Sequence, residues 1–146
     1  MRNAELKGDR PRPRDLKSRT KAFALDVVRL VNGFPRLPLA AVIGNQLVRC
    51  GTSVAANYRS ACRARSRREF IAKMGIVEEE ADEAELWLEL SADQALADAQ
   101  KTARLAREAH ELVAIVIASI RTARKAPRAI PHSAFRIPHS PAAQCS

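Results

Sequence analysis

Aromatic side chains are scarce in this 146-residue chain: four phenylalanines, one tyrosine and one tryptophan. So few rings argue against a platform on which unpaired bases would stack. Glycine is also thin, at five residues, which leaves little material for the tight turns of a hairpin-rich sheet. The three cysteines, Cys50, Cys62 and Cys145, include no CxxC pair, so neither a disulfide framework nor a zinc site is expected. Cys50 and Cys62 fall on one predicted helix, roughly 18 Å apart, too far to bridge each other. Reduced cytoplasmic thiols packed as small hydrophobes are the expectation. The longest apolar run, Leu112 to Ala118, is far short of the ~20 residues of a membrane span. The charged N-terminus has no apolar stretch behind it, so no signal peptide is read. A cytoplasmic protein without a membrane partner is therefore expected.

Catalytic patterns are missing as well. Helical bundles hold di-iron sites through Glu-x-x-His pairs, but His110 is flanked by Glu108 and Glu111 at the wrong spacing. His132 and His139 lie among the prolines of the C-terminal segment. There is no Gly-x-Ser-x-Gly, no phosphate-binding loop and no dinucleotide glycine pattern. No catalytic residue, metal or cofactor is assigned, and a non-enzymatic protein is expected.

What is present is alanine, leucine, valine and arginine, a composition suited to close-packed helices. Phe23, Val27, Leu30 and Phe34 make one apolar stripe, predicting a first helix over 16–33 that Gly33 and Pro35 end. Pro38 suits a first helical turn, and a second helix is predicted to about Ala64. Along it Ile43, Leu47, Cys50, Val54, Asn57 and Ala61 form an unbroken heptad seam. Gly44 and Gly51 on this helix permit close helix approach. Ser66-Arg67-Arg68-Glu69 fits a capping box and starts a third helix, carried on by Phe70, Met74, Val77, Ala81, Ala84 and Leu88 to near Ser91. A fourth runs from about 98 to 125 on Leu105, Ala109, Leu112, Val116, Ser119 and Ala123. Residues 92–97 are a weak boundary that could themselves be helical. The expected fold is all-α: an antiparallel up-down four-helix bundle over 15–125. A disordered basic arm, 1–14, precedes it, and a disordered proline-rich tail, 126–146, follows.

The formal charge of +9 is unevenly placed. Residues 1–21 carry eight basic and three acidic side chains, whereas 66–90 carry three basic and eight acidic. A basic N-terminal half suits a polyanion such as nucleic acid. Arg49, Arg59 and Arg63 share a side of helix 2, and Glu78, Asp82, Glu85 and Glu89 share a face of helix 3. Four acids on one face repel one another, so these arginines are expected to pair with them, within the chain or between subunits; the alternative is that they face outward and hold phosphates while the acids are solvated. The candidate phosphate contacts are then Arg10, Arg12, Arg14, Lys17, Arg19 and Lys21, joined by Arg65, Arg67 and Arg68 at the helix 2–3 turn. Asn57 is read as a buried polar residue of the seam. Tyr58 and Trp87 are read as core or interface.

Several of these residues also carry a resemblance. Gln46, Arg49, Thr52-Ser53-Val54, Ala56-Asn57-Tyr58, Arg67, Glu69-Phe70-Ile71 and Glu83 are similar, in order and spacing, to the small bacterial four-helix-bundle proteins encoded in intervening sequences of 23S ribosomal RNA genes. The similarity covers about residues 16–125. It implies an up-down bundle that assembles into a homo-pentamer around a channel. The accessory protein of diversity-generating retroelements is similar too; by that likeness, a positively charged surface would bind RNA or DNA and a protein partner. The rival expectation is a protein–protein scaffold with no nucleic-acid role. A further alternative is a helix-turn-helix DNA binder with its turn at Gly51-Thr52-Ser53.

Overall fold

A computed structural model describes residues 15–127, which hold four α-helices and no strand: α1 (Leu16–Asn32), α2 (Pro38–Cys62), α3 (Arg67–Asp93) and α4 (Ala99–Lys125). Each start has a local cause. The Asp15 carboxylate accepts the Ser18 N–H at 2.7 Å and caps α1. Pro38 occupies the first turn of α2. The Asp98 side chain accepts the Lys101 N–H at 2.8 Å and caps α4. At α3 the Ser66 hydroxyl accepts the Glu69 N–H at 3.1 Å, as the capping box requires. The reciprocal bond is shifted by one residue, because Glu69 Oε2 accepts from Arg65 N–H at 2.9 Å.

Within the 92–97 boundary, Ala92 and Asp93 complete α3 and residues 94–97 are not helical. Leu96 N–H donates to the Ser91 carbonyl and Ala95 N–H to that of Ala92, both at 3.0 Å, which is a Schellman C-cap on α3. Ala95 stands at the left-handed position, with φ 51°. Leu96, the next residue, is buried with Ala40 and Ile43 against Leu90 and Trp87.

The helices form a closed ring of neighbours, α1–α2–α3–α4–α1, and diagonal partners face each other only across the core. Successive helices run antiparallel. Val27 lies against Gly51 and Val31 against Gly44, while Arg19 reaches Glu108 and Arg104 reaches Asp26. The bundle expected from the apolar stripes is what the chain forms.

The core runs the length of the ring. Phe23, Val27, Leu47, Val54, Met74, Val77, Leu88, Leu105, Leu112 and Val116 are all essentially inaccessible. The two glycines of α2 set its distance from α1. A Cβ at Gly44 would sit 2.8 Å from Val31 Cγ1, and one at Gly51 would sit 2.9 Å from Val27 Cγ1.

Two expectations for α2 are corrected. The helix is continuous through Gly51-Thr52-Ser53, so no helix-turn-helix is formed there; Gly51 serves close packing rather than a turn. The polar place in the seam is held by Tyr58, not Asn57. Tyr58 is fully buried, whereas Asn57 is half-buried and donates from Nδ2 to the Ser53 carbonyl at 2.9 Å. Both residues satisfy a helical repeat after Val54. Turning the large ring inward buries more apolar area, and the amide finds a local acceptor at the margin.

Cys50 is the buried free thiol. Desolvation pushes its pKa up to about 12, so it is an inert core residue. Cys62 is half-buried. Among the described residues no helix is long and apolar enough to cross a membrane.

Candidate nucleic-acid interface

Alternating helix directions bring the N-termini of α1 and α3 and the C-termini of α2 and α4 to one end of the bundle. Basic residues from every helix meet there. Lys17 and Lys21 come from α1, Arg59 from α2, and Arg63 and Arg65 from the connection that follows. Arg67, Arg68 and Lys73 come from α3, and Arg121, Arg124 and Lys125 from α4. The acids in the same outer turns are Asp15 and Glu69, and both carboxylates are engaged in helix caps. At the far end Arg29, Arg36, Lys101 and Arg104 are matched by Asp26, Glu89, Asp93 and Asp98. The molecule is thus strongly basic at one end and balanced at the other.

Most of these cations are uncommitted. Arg59, Arg63, Arg68, Arg121, Arg124 and Lys125 are exposed, and none forms an ion pair among the described residues. Two of the sequence-expected phosphate contacts are otherwise occupied. Arg19 lies in the α1–α4 groove, where Nε and Nη2 hold Glu108 at 2.6 and 2.9 Å and Nη2 also reaches Glu111 at 2.5 Å. Its hydrogen bonds to Glu108 hold its guanidinium above the ordinary arginine pKa. Arg67 donates from Nη1 to the Ala126 carbonyl, closing the C-terminus of α4. Arg10, Arg12 and Arg14 lie outside the described residues.

The expected arginine–glutamate pairing takes a different form. Arg49 pairs with α3 through Glu80, at 3.2 Å, and through Glu83. It does not meet the stripe of Glu78, Asp82, Glu85 and Glu89. That stripe lies on the side of α3 turned toward α4, where Glu85 sits 3.2 Å from His110 Nδ1. The Trp87 indole N–H donates to Glu83 at 3.1 Å. Arg49 first, and Trp87 second, hold the Glu83 carboxyl below its usual pKa. Arg59 and Arg63 take no part in this network.

A cleft of about 280 Å³ opens between α1 and α4 at the far end. It has an apolar floor of Leu30, Ala97 and Leu105, and its rim mixes Asp26 and Asp98 with Arg29, Lys101 and Arg104. Among the described residues no group of three His, Cys, Asp or Glu is placed to hold a metal. The Tyr58 hydroxyl is buried without a hydrogen-bond partner, and desolvation raises its pKa to about 12. It lies inside the core rather than in an opening.

The sequence reading placed Arg65, Arg67 and Arg68 at this end but did not include the α4 cations. Arg121, Arg124 and Lys125 are far from the basic arm in sequence. They join the helix 2–3 turn only because four antiparallel helices return the last turn to the starting end. The signal was present, since an up-down topology with known helix lengths places the two together.

The fold has known counterparts. A crystal structure of a Bacteroides thetaiotaomicron protein of unknown function, from the S23 ribosomal protein family, superposes with a TM-score of 0.68 at 31% identity. The match covers 73% of this chain and 98% of that one. No curated protein matches the chain. The family model described as 23S rRNA-intervening sequence protein matches residues 14–118, the whole of α1 to α3 and most of α4. This chain therefore belongs to the 23S rRNA-intervening sequence protein family.

Proposed function

We propose that the protein is a non-enzymatic, cytoplasmic helical bundle that binds RNA or DNA, free or within a ribonucleoprotein, through its basic end. In this reading it acts as a homo-oligomer. The observation that carries the reading is the gathering of cations from all four helices at one end, where Lys21, Arg59, Arg68, Arg121, Arg124 and Lys125 form no ion pair among the described residues and the carboxylates of Asp15 and Glu69 are engaged in caps. Arginine suits the task because its planar fork binds phosphate in two-point fashion. The binding residues are Lys17, Lys21, Arg65 and Arg68, with Arg59, Arg63, Arg121, Arg124 and Lys125 added from the bundle end. Arg10, Arg12 and Arg14 of the arm would extend the same surface.

The test is binding of labelled RNA and DNA across a salt series, with the full chain and with residues 1–14 removed. Asp15 is retained because it caps α1. Phosphate binding should weaken steeply with salt, the log–log slope falling by about 0.7–0.9 for each phosphate no longer held. No affinity at low salt would sink the reading.

A second reading, a protein–protein scaffold, is favoured by one observation. Leu37, Leu39 and Val42, at the opposite end, are 54%, 50% and 57% exposed, an apolar cluster of the kind interfaces cover. The same cluster supports self-assembly, so intact oligomers that ignore nucleic acid would favour the scaffold.

A further inference from the structure

We infer that the ligand of the basic end is a double helix, gripped across a groove by its phosphates, rather than a single strand. The inference rests on the proposed nucleic-acid reading and specifies its substrate class.

Single-strand binders gain about 1–3 kcal/mol from each base stacked on an aromatic ring. The basic end has no ring to offer among the described residues. Phe23, Tyr58 and Phe70 are buried in the core, and Phe34 and Trp87 pack at the far end. A duplex makes no such demand. Its bases are already stacked, and it presents about one phosphate charge per 1.7 Å of axis.

The layout of the cations matches that ligand. A single strand is followed by a linear track of charge. Here the charges come from four helix ends and cover a face in two dimensions. Packed helices lie 8–10 Å apart, so the axes that carry these flexible cations stand about 10 Å apart for neighbours and about 14 Å for diagonal helices. The phosphate rows flanking a B-form major groove, about 12 Å wide, fall in that range. Arg59 and Arg63 on one side and Arg121 and Arg124 on the diagonal helix would each hold one row.

The experiment measures fluorescence anisotropy of the full chain with a 20-base-pair DNA duplex, a 20-base-pair RNA duplex and their separate strands. The B-form DNA duplex is expected to bind roughly tenfold or more tightly than its own strands, the advantage two further phosphate contacts give at moderate salt, and the A-form RNA duplex, with its narrow major groove, less tightly than the DNA duplex. The double substitution Arg121→Glu with Arg124→Glu should lower the duplex salt slope by about 2. Arg29→Glu with Arg104→Glu, at the far end, should leave it unchanged. Circular dichroism of both variants confirms that the bundle persists. Single strands that bind as tightly as duplexes overturn the inference and leave nucleic-acid binding standing. An unchanged slope in the α4 variant overturns the role of the bundle end. Failure of every probe to bind overturns the proposed function itself.

Discussion

Ala95 holds a backbone conformation that side chains disfavour. Its φ of 51° costs a non-glycine residue on the order of 1 kcal/mol. The Schellman cap tolerates this because Leu96 is buried immediately afterwards. Ala95→Gly is therefore expected to raise unfolding free energy by roughly 0.5–1 kcal/mol in urea titrations, less than the full strain because glycine is freer when unfolded. Tyr58 poses a different residue-scale problem. Its hydroxyl is buried with no partner, an arrangement that costs about 1–3 kcal/mol. Tyr58→Phe should leave stability unchanged or improve it by up to about 1 kcal/mol. As the chain's single tyrosine, it can be followed by absorbance. Phenolate should appear near pH 12 in the folded protein, because burial raises the folded value. The unfolded phenol ionises near 10. The raised folded value therefore makes stability fall as pH climbs from about 10 to 12. A phenolate signal already complete at pH 10.5 in folded protein would contradict the burial.

At the scale of elements, two glycines in long helices make opposite predictions. Gly51→Ala adds a methyl 2.9 Å from Val27 Cγ1 and 3.2 Å from two more Val27 carbons. Val27 is fully buried and stiff at χ1. The gain in helix propensity should be outweighed by overpacking, for a net loss of about 1 kcal/mol. Gly75 on α3 has open space where a Cβ would go, so Gly75→Ala should stabilise by roughly 0.5–1 kcal/mol. Melting temperatures of the two variants should move in opposite directions. The Arg49–Glu83 link between α2 and α3 is pH-dependent. The folded Glu83 carboxyl is held below its usual value, so its contribution is present at neutral pH and is lost as pH falls through the folded value. The stability gap between wild type and Glu83→Gln should accordingly close in acid, as urea midpoints at pH 7 and pH 3 would record.

Much of this scale was legible in the sequence. The apolar stripes and the Ser66 and Pro38 starts located all four helices to within about two residues. What was not legible was orientation about each helix axis. Asn57 and Tyr58 both satisfy the repeat after Val54, and only packing against α1, α3 and α4 decides between them. For the same reason the acidic residues that meet Arg49 are Glu80 and Glu83, not the regular 78–82–85–89 stripe. A stripe of one charge identifies a helix face but does not say which neighbour that face meets.

For the whole molecule, the proposed function puts assembly and ligand binding at opposite ends. The exposed apolar side chains Leu37, Leu39 and Val42 sit where the charges balance, and the free cations sit away from them. If self-association uses the apolar end, light scattering should give a multiple of 16.1 kDa. Val42→Asp should lower that mass while leaving nucleic-acid affinity per site unchanged. A monomer at micromolar concentration in the unaltered protein would remove self-assembly from the proposal.

The length of α3 has a consequence for how the two ends communicate. Twenty-seven residues span about 40 Å of helix. Mobile ions shield charge over about 8 Å at physiological salt. Some five such lengths separate the cationic face from the apolar one, so neither end senses the other's field. Whatever docks on one leaves the other's binding constant untouched, unless the rod between them bends. The bundle would then work as a rigid strut that holds two occupants a fixed distance apart.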